Sequence, residues 1–149
     1  MRVTGRNRPW GRMGMLLAWL LLLPVLACAK GQATTVLVLG DSLSAAHNIP
    51  VQSGWVNLLD KRLSARSGSP ARVVNASMSG ETTAGAATRL PGLLAREKPD
   101  VVVIALGAND GLRGLPLREA RRNLARMIGA SQHVGAKVLL VGMRMPPNL

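Results

Sequence analysis

Val101-Val102-Val103-Ile104-Ala105-Leu106 is an unbroken apolar run, with Pro99-Asp100 before it and Gly107 after it. A run of that length reads as a strand buried on both faces, and such strands belong to parallel sheets layered between helices. The rest of the chain fits this reading. Residues 34–39, Arg72-Val73-Val74-Asn75-Ala76 and Lys137-Val138-Leu139-Leu140-Val141 read as three more strands. Between them lie stretches with helical spacing. One begins near Gly54 and carries Trp55, Leu58, Leu59 and Leu63 as one apolar face, ending before the loop signal Ser67-Gly68-Ser69-Pro70. A second carries Ala86, Ala87, Leu90, Leu93 and Leu94, and Pro91 is expected to kink it or start a new turn. A third, from about Pro116 to Gln132, is expected to bury Leu117, Ala120, Leu124, Met127 and Ile128. Strands alternating with crossover helices imply a parallel sheet with right-handed connections.

Three of the four strands run into a polar, glycine-bearing stretch. These are Gly40-Asp41-Ser42-Leu43-Ser44, Ser77-Met78-Ser79-Gly80-Glu81-Thr82-Thr83 and Gly107-Ala108-Asn109-Asp110-Gly111. In a parallel sheet all three gather outside the carboxyl ends of the strands, where open α/β sheets place their sites. Acyl transfer by serine needs a nucleophile, a base and donors for the oxyanion. Ser42 can be the nucleophile, at the start of the next helix where free N–H groups favour developing negative charge. Gly80 lets a backbone N–H approach a substrate, and Asn109 offers a neutral side-chain NH2. Each also has an ordinary structural reading: Asp41 and Ser42 as helix caps, Gly80 as a turn glycine, Asn109 as an Asx turn. Turn chemistry does not explain all three occurring after successive strands.

Composition narrows the class. Hydrophobic residues are 48% of the 149, which excludes a disordered chain. Tyr and Phe are absent, so the core is aliphatic. The formal net charge is +12, but Arg2, Arg6, Arg8, Arg12 and Lys30 all precede the first acid, Asp41, and without them 14 basic residues face seven acidic ones. Arg118, Arg121, Arg122 and Arg126 fit the solvated face of a helix. With no zinc-finger spacing and no Phe or Tyr for base stacking, nucleic acid is not an expected partner. Neither phosphate-binding glycine motif follows a strand. The basic start, the apolar run Met13–Leu26 and Ala27-Cys28-Ala29 read as an export signal over residues 1–29, cut after Ala29. Val25-Leu26-Ala27-Cys28 also resembles a bacterial lipoprotein box, in which Cys28 would be lipidated. Cys28 is the only cysteine, so no internal disulfide can form.

The three polar stretches resemble the blocks of the SGNH (GDSL-like) hydrolases, in the secreted bacterial thioesterase I / lysophospholipase / arylesterase branch. Gly40–Ser44 is similar to the nucleophile block, Asn75–Thr82 to the second block and Gly107–Gly114 to the third. Met145-Pro146-Pro147-Asn148 resembles a segment beside the acyl pocket. The resemblance implies a three-layer α/β/α, flavodoxin-like fold over residues 30–149. It implies hydrolysis of acyl esters, lysophospholipids or aryl esters through an acyl-serine on Ser42. The oxyanion would be held by the N–H groups of Ser42 and Gly80 and by the side chain of Asn109, with Asp41 supporting the loop. It implies no metal or organic cofactor. The protein is expected to be an exported monomer that meets small acyl-ester or lysophospholipid substrates and touches membranes peripherally.

One block does not appear. The family's Asp-x-x-His, which supplies the base and its orienting acid, is not found in the 149 residues. The last strand and helix of the fold are also missing, which leaves a bare sheet edge, an aggregation hazard. His133 precedes the fourth strand, and that strand's six or so residues at roughly 3.3 Å each put it on the order of 20 Å from the catalytic edge. His47 lies on the correct side, but five residues from Ser42 is an awkward offset for a direct bond. The chain is therefore expected to be a truncated hydrolase, nearly inactive as it stands. The alternatives are a non-catalytic exported acyl-binding or envelope protein, and a basic protein acting on anionic lipid with strong salt dependence.

Overall fold

The computed structural model describes Met1, residues 33–66 and residues 71–143. The export-signal reading of residues 1–29, Cys28 included, the loop at 67–70 and the segment 145–148 lie outside these. Each of the four apolar runs forms a strand: β1 Thr34–Gly40, β2 Ala71–Asn75, β3 Val101–Ala105 and β4 Lys137–Leu140. All pairings are parallel, in the order β2-β1-β3-β4. The chain leaves β1 in one direction to make β2, then crosses back over β1 to make β3. That reversal opens a crevice at the carboxyl end of β1, the topological switch point of a doubly wound sheet.

The reversal also sets the layers. With right-handed crossovers, connections running in opposite directions put their helices on opposite faces. Helix α1 (Trp55–Ser64) covers one face, and α2 (Thr83–Glu97) and α4 (Leu117–His133) cover the other. Alternate residues of each strand serve the two cores. Leu37, Leu39, Val102 and Ile104 pack with Ala86, Leu90, Leu94 and Met127, while Val36, Val38 and Val103 pack with Val56. The fold is the expected α/β/α sandwich. Asp100 fastens the entry side: its carboxylate accepts from Thr35 N–H at 2.7 Å, and its carbonyl accepts from Lys137 N–H at 2.8 Å. Among the described residues, no helix is long and apolar enough to cross a membrane.

Several local expectations need correction. The buried residue of α1 is Val56, with Leu63 packed beside it, whereas Trp55 and Leu58 are exposed. Asp60 explains the rotation: it shares the sheet-facing side and its carboxylate accepts from Val73 N–H at 3.1 Å, satisfying a donor on the edge strand β2. Helix α2 runs as one element through Pro91 instead of restarting there. Pro91 is exposed, and the five apolar residues around it all reach the core. At the head of α4, Leu117 is 78% exposed, while Ala120 and Met127 are buried. Leu117 occupies the first position of the helix, following Pro116 as the cap.

Leu90 is 1% exposed at the centre of the larger core. Leu90→Ala is expected to lower unfolding free energy by about 2–5 kcal/mol, from lost transfer energy plus the cavity left behind. Urea unfolding followed by circular dichroism measures it.

β4 is an outer strand, and Leu139 and Leu140 are 56% and 46% exposed. An apolar groove of about 590 Å³ runs from the end of β3 along α4 to the end of β4. Leu106, Gly107, Leu115, Leu124, Ile128 and Val141 are among its lining residues.

Candidate functional site

Because β1 lies between β2 and β3, the stretch that follows it lies between the other two. Adjacent strands are about 4.8 Å apart, so residues just past the three strand ends are near neighbours. Ser42 follows β1, Gly80 lies beyond β2, and Asn109 lies beyond β3. The sheet thus brings the three expected site residues to one edge, with Ser42 central.

Ser42 lies in a run of turns, and the next helix, α1, starts only at Trp55, so the expected helix N-terminus is not there. The turn is closed by Asp41. Its carbonyl accepts from Ser44 N–H at 3.1 Å and Ala45 N–H at 2.9 Å, and its carboxylate accepts from Leu43 N–H at 3.1 Å. Asp41 is 1% exposed, and its carboxylate is engaged within its own turn. Ser42 is half-buried, with its carbonyl accepting from His47 N–H at 3.1 Å. Two non-glycine residues just beyond it, Ala46 (φ 57°) and Asn48 (φ 61°), take left-handed conformations, which cost an alanine about 1–2 kcal/mol. Gly54 accommodates the first of these, since a Cβ there would fall 2.7 Å from that of Ala46.

Gly40 sets how closely the turn folds back. A Cβ at Gly40 would stand 2.6 Å from Ser44 Cβ and 3.1 Å from Ser77 Oγ. Gly40→Ala must therefore displace the Ser42 turn and is expected to cost about 1–3 kcal/mol. Thermal unfolding checks the stability. The rate at which Ser42 reacts with an organophosphonate checks the displacement.

The second stretch is tied on both sides. Toward the first, Met78 N–H donates to Gly40 O at 3.1 Å and Asn75 Nδ2 donates to Ser44 O at 2.8 Å. Arg89, from α2, pairs with Glu81 at 2.6 Å and donates to Ala76 O at 3.0 Å. Gly80 has φ +76°, a left-handed conformation that glycine adopts without strain. Its N–H has no acceptor among the described residues, so it is open to a ligand.

The third stretch is where structure and expectation differ most. After Gly107 (φ +120°) the chain enters a short helix, α3 (Ala108–Leu112), so Asn109 stands on a helical turn rather than a loop. Three of its side chains reach across to the second stretch. Asn109 Nδ2 donates to Glu81 O at 2.9 Å, and Arg113 donates to Gly80 O at 2.9 Å. The Asp110 carboxylate accepts from Thr83 N–H at 2.9 Å and from Thr83 Oγ1 at 2.5 Å. Asp110 is 4% exposed and Thr83 fully buried, and Asn123 adds a 3.2 Å bond to Thr83 Oγ1. An amide NH2 has two N–H bonds. Asn109 uses one on Glu81, which fixes its orientation and leaves the other open among the described residues.

Asp110, Thr83, Arg113 and Arg89 were not anticipated as parts of the site. Adjacency to Asn109 and the Thr82-Thr83 pair at a helix start were weak signals of them. The pairing of Asp110 with a residue 27 positions earlier left none. The two histidines stand where expected. His133 ends α4 ahead of β4, on the far edge of the sheet, and His47 is exposed. Neither imidazole is hydrogen-bonded to Ser42. Among the described residues there is no group of three side chains suited to a metal ion. The arrangement puts a hydroxyl on the stretch between two others that each carry an N–H without an acceptor among the described residues, the kind of donor that can stabilise an oxyanion.

The family model for GDSL-like lipase/acylhydrolases matches residues 38–149. Esterase TesA of Pseudomonas aeruginosa is 54% identical over 124 residues, covering 83% of this chain and 61% of the relative. The thioesterase 1/protease 1/lysophospholipase L1 of Escherichia coli K12 is 36% identical over 128 residues, covering 86% of this chain and 60% of the relative. The crystal structure of the psychrotrophic esterase EstA from Pseudoalteromonas sp., inhibited by monoethylphosphonate, superimposes with a TM-score of 0.72 at 44% identity, covering 77% of this chain and 62% of that one. The chain thus spans about three fifths of the length of the curated relatives it matches.

Proposed function

The chain belongs to the GDSL-like lipase/acylhydrolase family, and from that premise we propose that it carries the nucleophile and oxyanion hole of an acyl-ester hydrolase working through an acyl-serine. Ser42 Oγ attacks the ester carbonyl and gives its proton to water, which returns one to the leaving group. The oxyanion that forms is held by the N–H groups of Ser42 and Gly80 and the free amide N–H of Asn109. Collapse expels the alcohol or thiol, and water then releases the acid from Ser42. The observation that carries this reading is the lacing of the stretches after β2 and β3 by Asn109, Asp110 and Arg113, which leaves the Gly80 N–H and one Asn109 N–H unengaged beside the serine turn. Preorganised donors of this kind supply much of the rate in acyl transfer.

The apolar groove beside Gly107 gives an acyl chain an aliphatic lining, which supports lipid and other acyl esters as substrates. The EstA relative is inhibited by a phosphonate, a reagent class that phosphonylates nucleophilic serines. The export-signal reading of residues 1–29 supports action outside the cytoplasm, on esters met at or near a membrane. Neither imidazole is hydrogen-bonded to Ser42 among the described residues, so the 149 residues alone are expected to hydrolyse esters only at the residual level left by binding and the oxyanion hole. That same observation favours a second reading, a non-catalytic acyl-binding protein.

Reaction with ethyl p-nitrophenyl ethylphosphonate, with imidazole added as the base that neither histidine is placed to be, separates the two. The hydrolase reading expects a single phosphonyl adduct, mapped by mass spectrometry to Ser42. Long incubation without an adduct favours the binding protein.

A further inference from the structure

We propose that the carboxyl edge of the sheet is a docking face for an anionic lipid bilayer, with Leu112, Leu115 and Leu117 entering the interface and the arginines of α4 meeting lipid phosphates. The inference concerns how the chain is held at a surface and does not rest on Ser42 as nucleophile. Exposed apolar side chains are unevenly placed. Leu43 (68% exposed) follows β1, Met78 (51%) follows β2, and Leu112 (60%), Leu115 (41%) and Leu117 (78%) follow β3. All of these lie beyond the carboxyl ends of parallel strands and so share one edge. The turns before β3 and β4, at the opposite edge, hold one such side chain, Val134. Single exposed aliphatics are ordinary on a protein surface, whereas a group of them on one edge marks a contact surface.

Charge says what the surface meets. Every residue from Gly111 to Arg118 is exposed, and leucines and arginines share that stretch without an acid. Helix α4 adds Arg121, Arg122 and Arg126, also exposed. Over residues 111–126 these five arginines face one acid, Glu119. Glu119 is taken by Arg122, and Arg118 stands 3.8 Å from it with 84% of its side chain exposed. Helix α4 starts at the carboxyl edge and runs back across the sheet, so Leu117 and Arg118 stand at the edge with Arg121 and Arg122 about one turn behind. Aliphatic side chains at a tip with cations just behind them match an anionic bilayer, where leucines reach the acyl boundary and arginines stay at the level of the phosphates. Arginine stems are long enough to span that difference in depth. Nucleic acid would engage the arginines and leave the leucines in water. Leu115, Leu117 and Arg121 also line the apolar groove, so docking on this face sets the groove against lipid.

The test uses the 149-residue chain with Cys28→Ser, so that one introduced cysteine carries an environment-sensitive nitrobenzoxadiazole label. Leu117→Cys reports the carboxyl edge and Val134→Cys the opposite edge. Residues 1–29 are the same in every sample, so differences between samples belong to the rest of the chain. With vesicles of phosphatidylglycerol and phosphatidylcholine in equal parts, the label at position 117 is expected to brighten and to be quenched by spin-labelled lipid, and the label at position 134 to do neither. Added salt is expected to raise the lipid concentration at half-response, and phosphatidylcholine alone to need at least about tenfold more lipid. Arg118→Glu, Arg121→Glu and Arg122→Glu together are expected to raise that concentration at least about tenfold, since each arginine near an anionic surface is worth about fivefold. Arg121→Gln alone, which breaks no ion pair among the described residues, is expected to raise it about threefold to fivefold. The same triple charge reversal at Lys61, Arg62 and Arg66, at the far end of α1, is expected to raise it less than about threefold in physiological salt, because charges beyond a Debye length are screened. No response at position 117 on anionic vesicles, an equal response at position 134, equal strength on phosphatidylcholine alone, or equal effects of the two triple variants overturns the proposal. A response at position 117 that grows with protein concentration and needs no lipid assigns the edge to a second copy of the chain and overturns it. A response to duplex DNA with none to lipid assigns the arginines to nucleic acid and overturns it too.

Discussion

Replacing Ser42 with alanine is expected to reduce imidazole-assisted covalent capture of an organophosphonate by at least about two orders of magnitude, to the background of adventitious labelling. The hydroxyl is the expected nucleophile at the switch point, and the variant leaves its surroundings in place. The turn is held by Asp41 through backbone bonds that do not involve the Ser42 side chain. Circular dichroism and urea unfolding should therefore match wild type to within about 0.5 kcal/mol, the usual effect of a substitution that breaks no packing or hydrogen-bond network. Slow hydrolysis of p-nitrophenyl esters is expected to change much less than capture, because the oxyanion donors and the groove remain. Loss of capture with retained fold and a retained slow background would identify Ser42 as the attacking group.

Asn109→Ala is expected to slow the same capture by about 10²–10³-fold, the effect of removing one oxyanion donor. Negative charge grows on the phosphoryl oxygen as Ser42 attacks, and the Asn109 N–H is placed to meet it. The substitution also removes the 2.9 Å bond to Glu81 O. Asn109→Asp also loses both N–H groups while keeping the size of the side chain, so the unfolding midpoint separates these effects: loss of the Glu81 bond lowers it, and loss of the oxyanion donor alone does not. Equal slowing by both variants, with unfolding midpoints near wild type, assigns the loss to the missing donor. Slowing that tracks loss of stability assigns it to the bond with Glu81. The initial capture rate, measured against probe concentration, provides the comparison.

The sheet was legible because its signal is local. Val101–Leu106 is apolar throughout, and a strand buried on both faces has no other way to be written. Ser42, Gly80 and Asn109 could be chosen because each follows a strand, and a parallel sheet puts all such stretches on one edge. What the sequence concealed was non-local or set by polar partners. Nothing around Asp60 announces that it caps an edge-strand N–H, and that role is what turned Trp55 and Leu58 outward. Asp110 reads as a surface turn residue until α2 is packed against α3, when it becomes the buried acceptor for Thr83. Arg113 reads as one more positive charge in a basic chain. Its place depends on the fold, which brings it to the carbonyl of Gly80, 33 residues earlier.

The most direct test of Ser42, Gly80 and Asn109 as one site is the crystal structure of the chain after reaction with ethyl p-nitrophenyl ethylphosphonate. The expected result is a phosphonyl ester on Ser42 Oγ whose free oxygen lies within about 3 Å of both the Gly80 nitrogen and Asn109 Nδ2. An adduct on another residue, or one on Ser42 whose oxygen points away from Gly80 and Asn109, would contradict it.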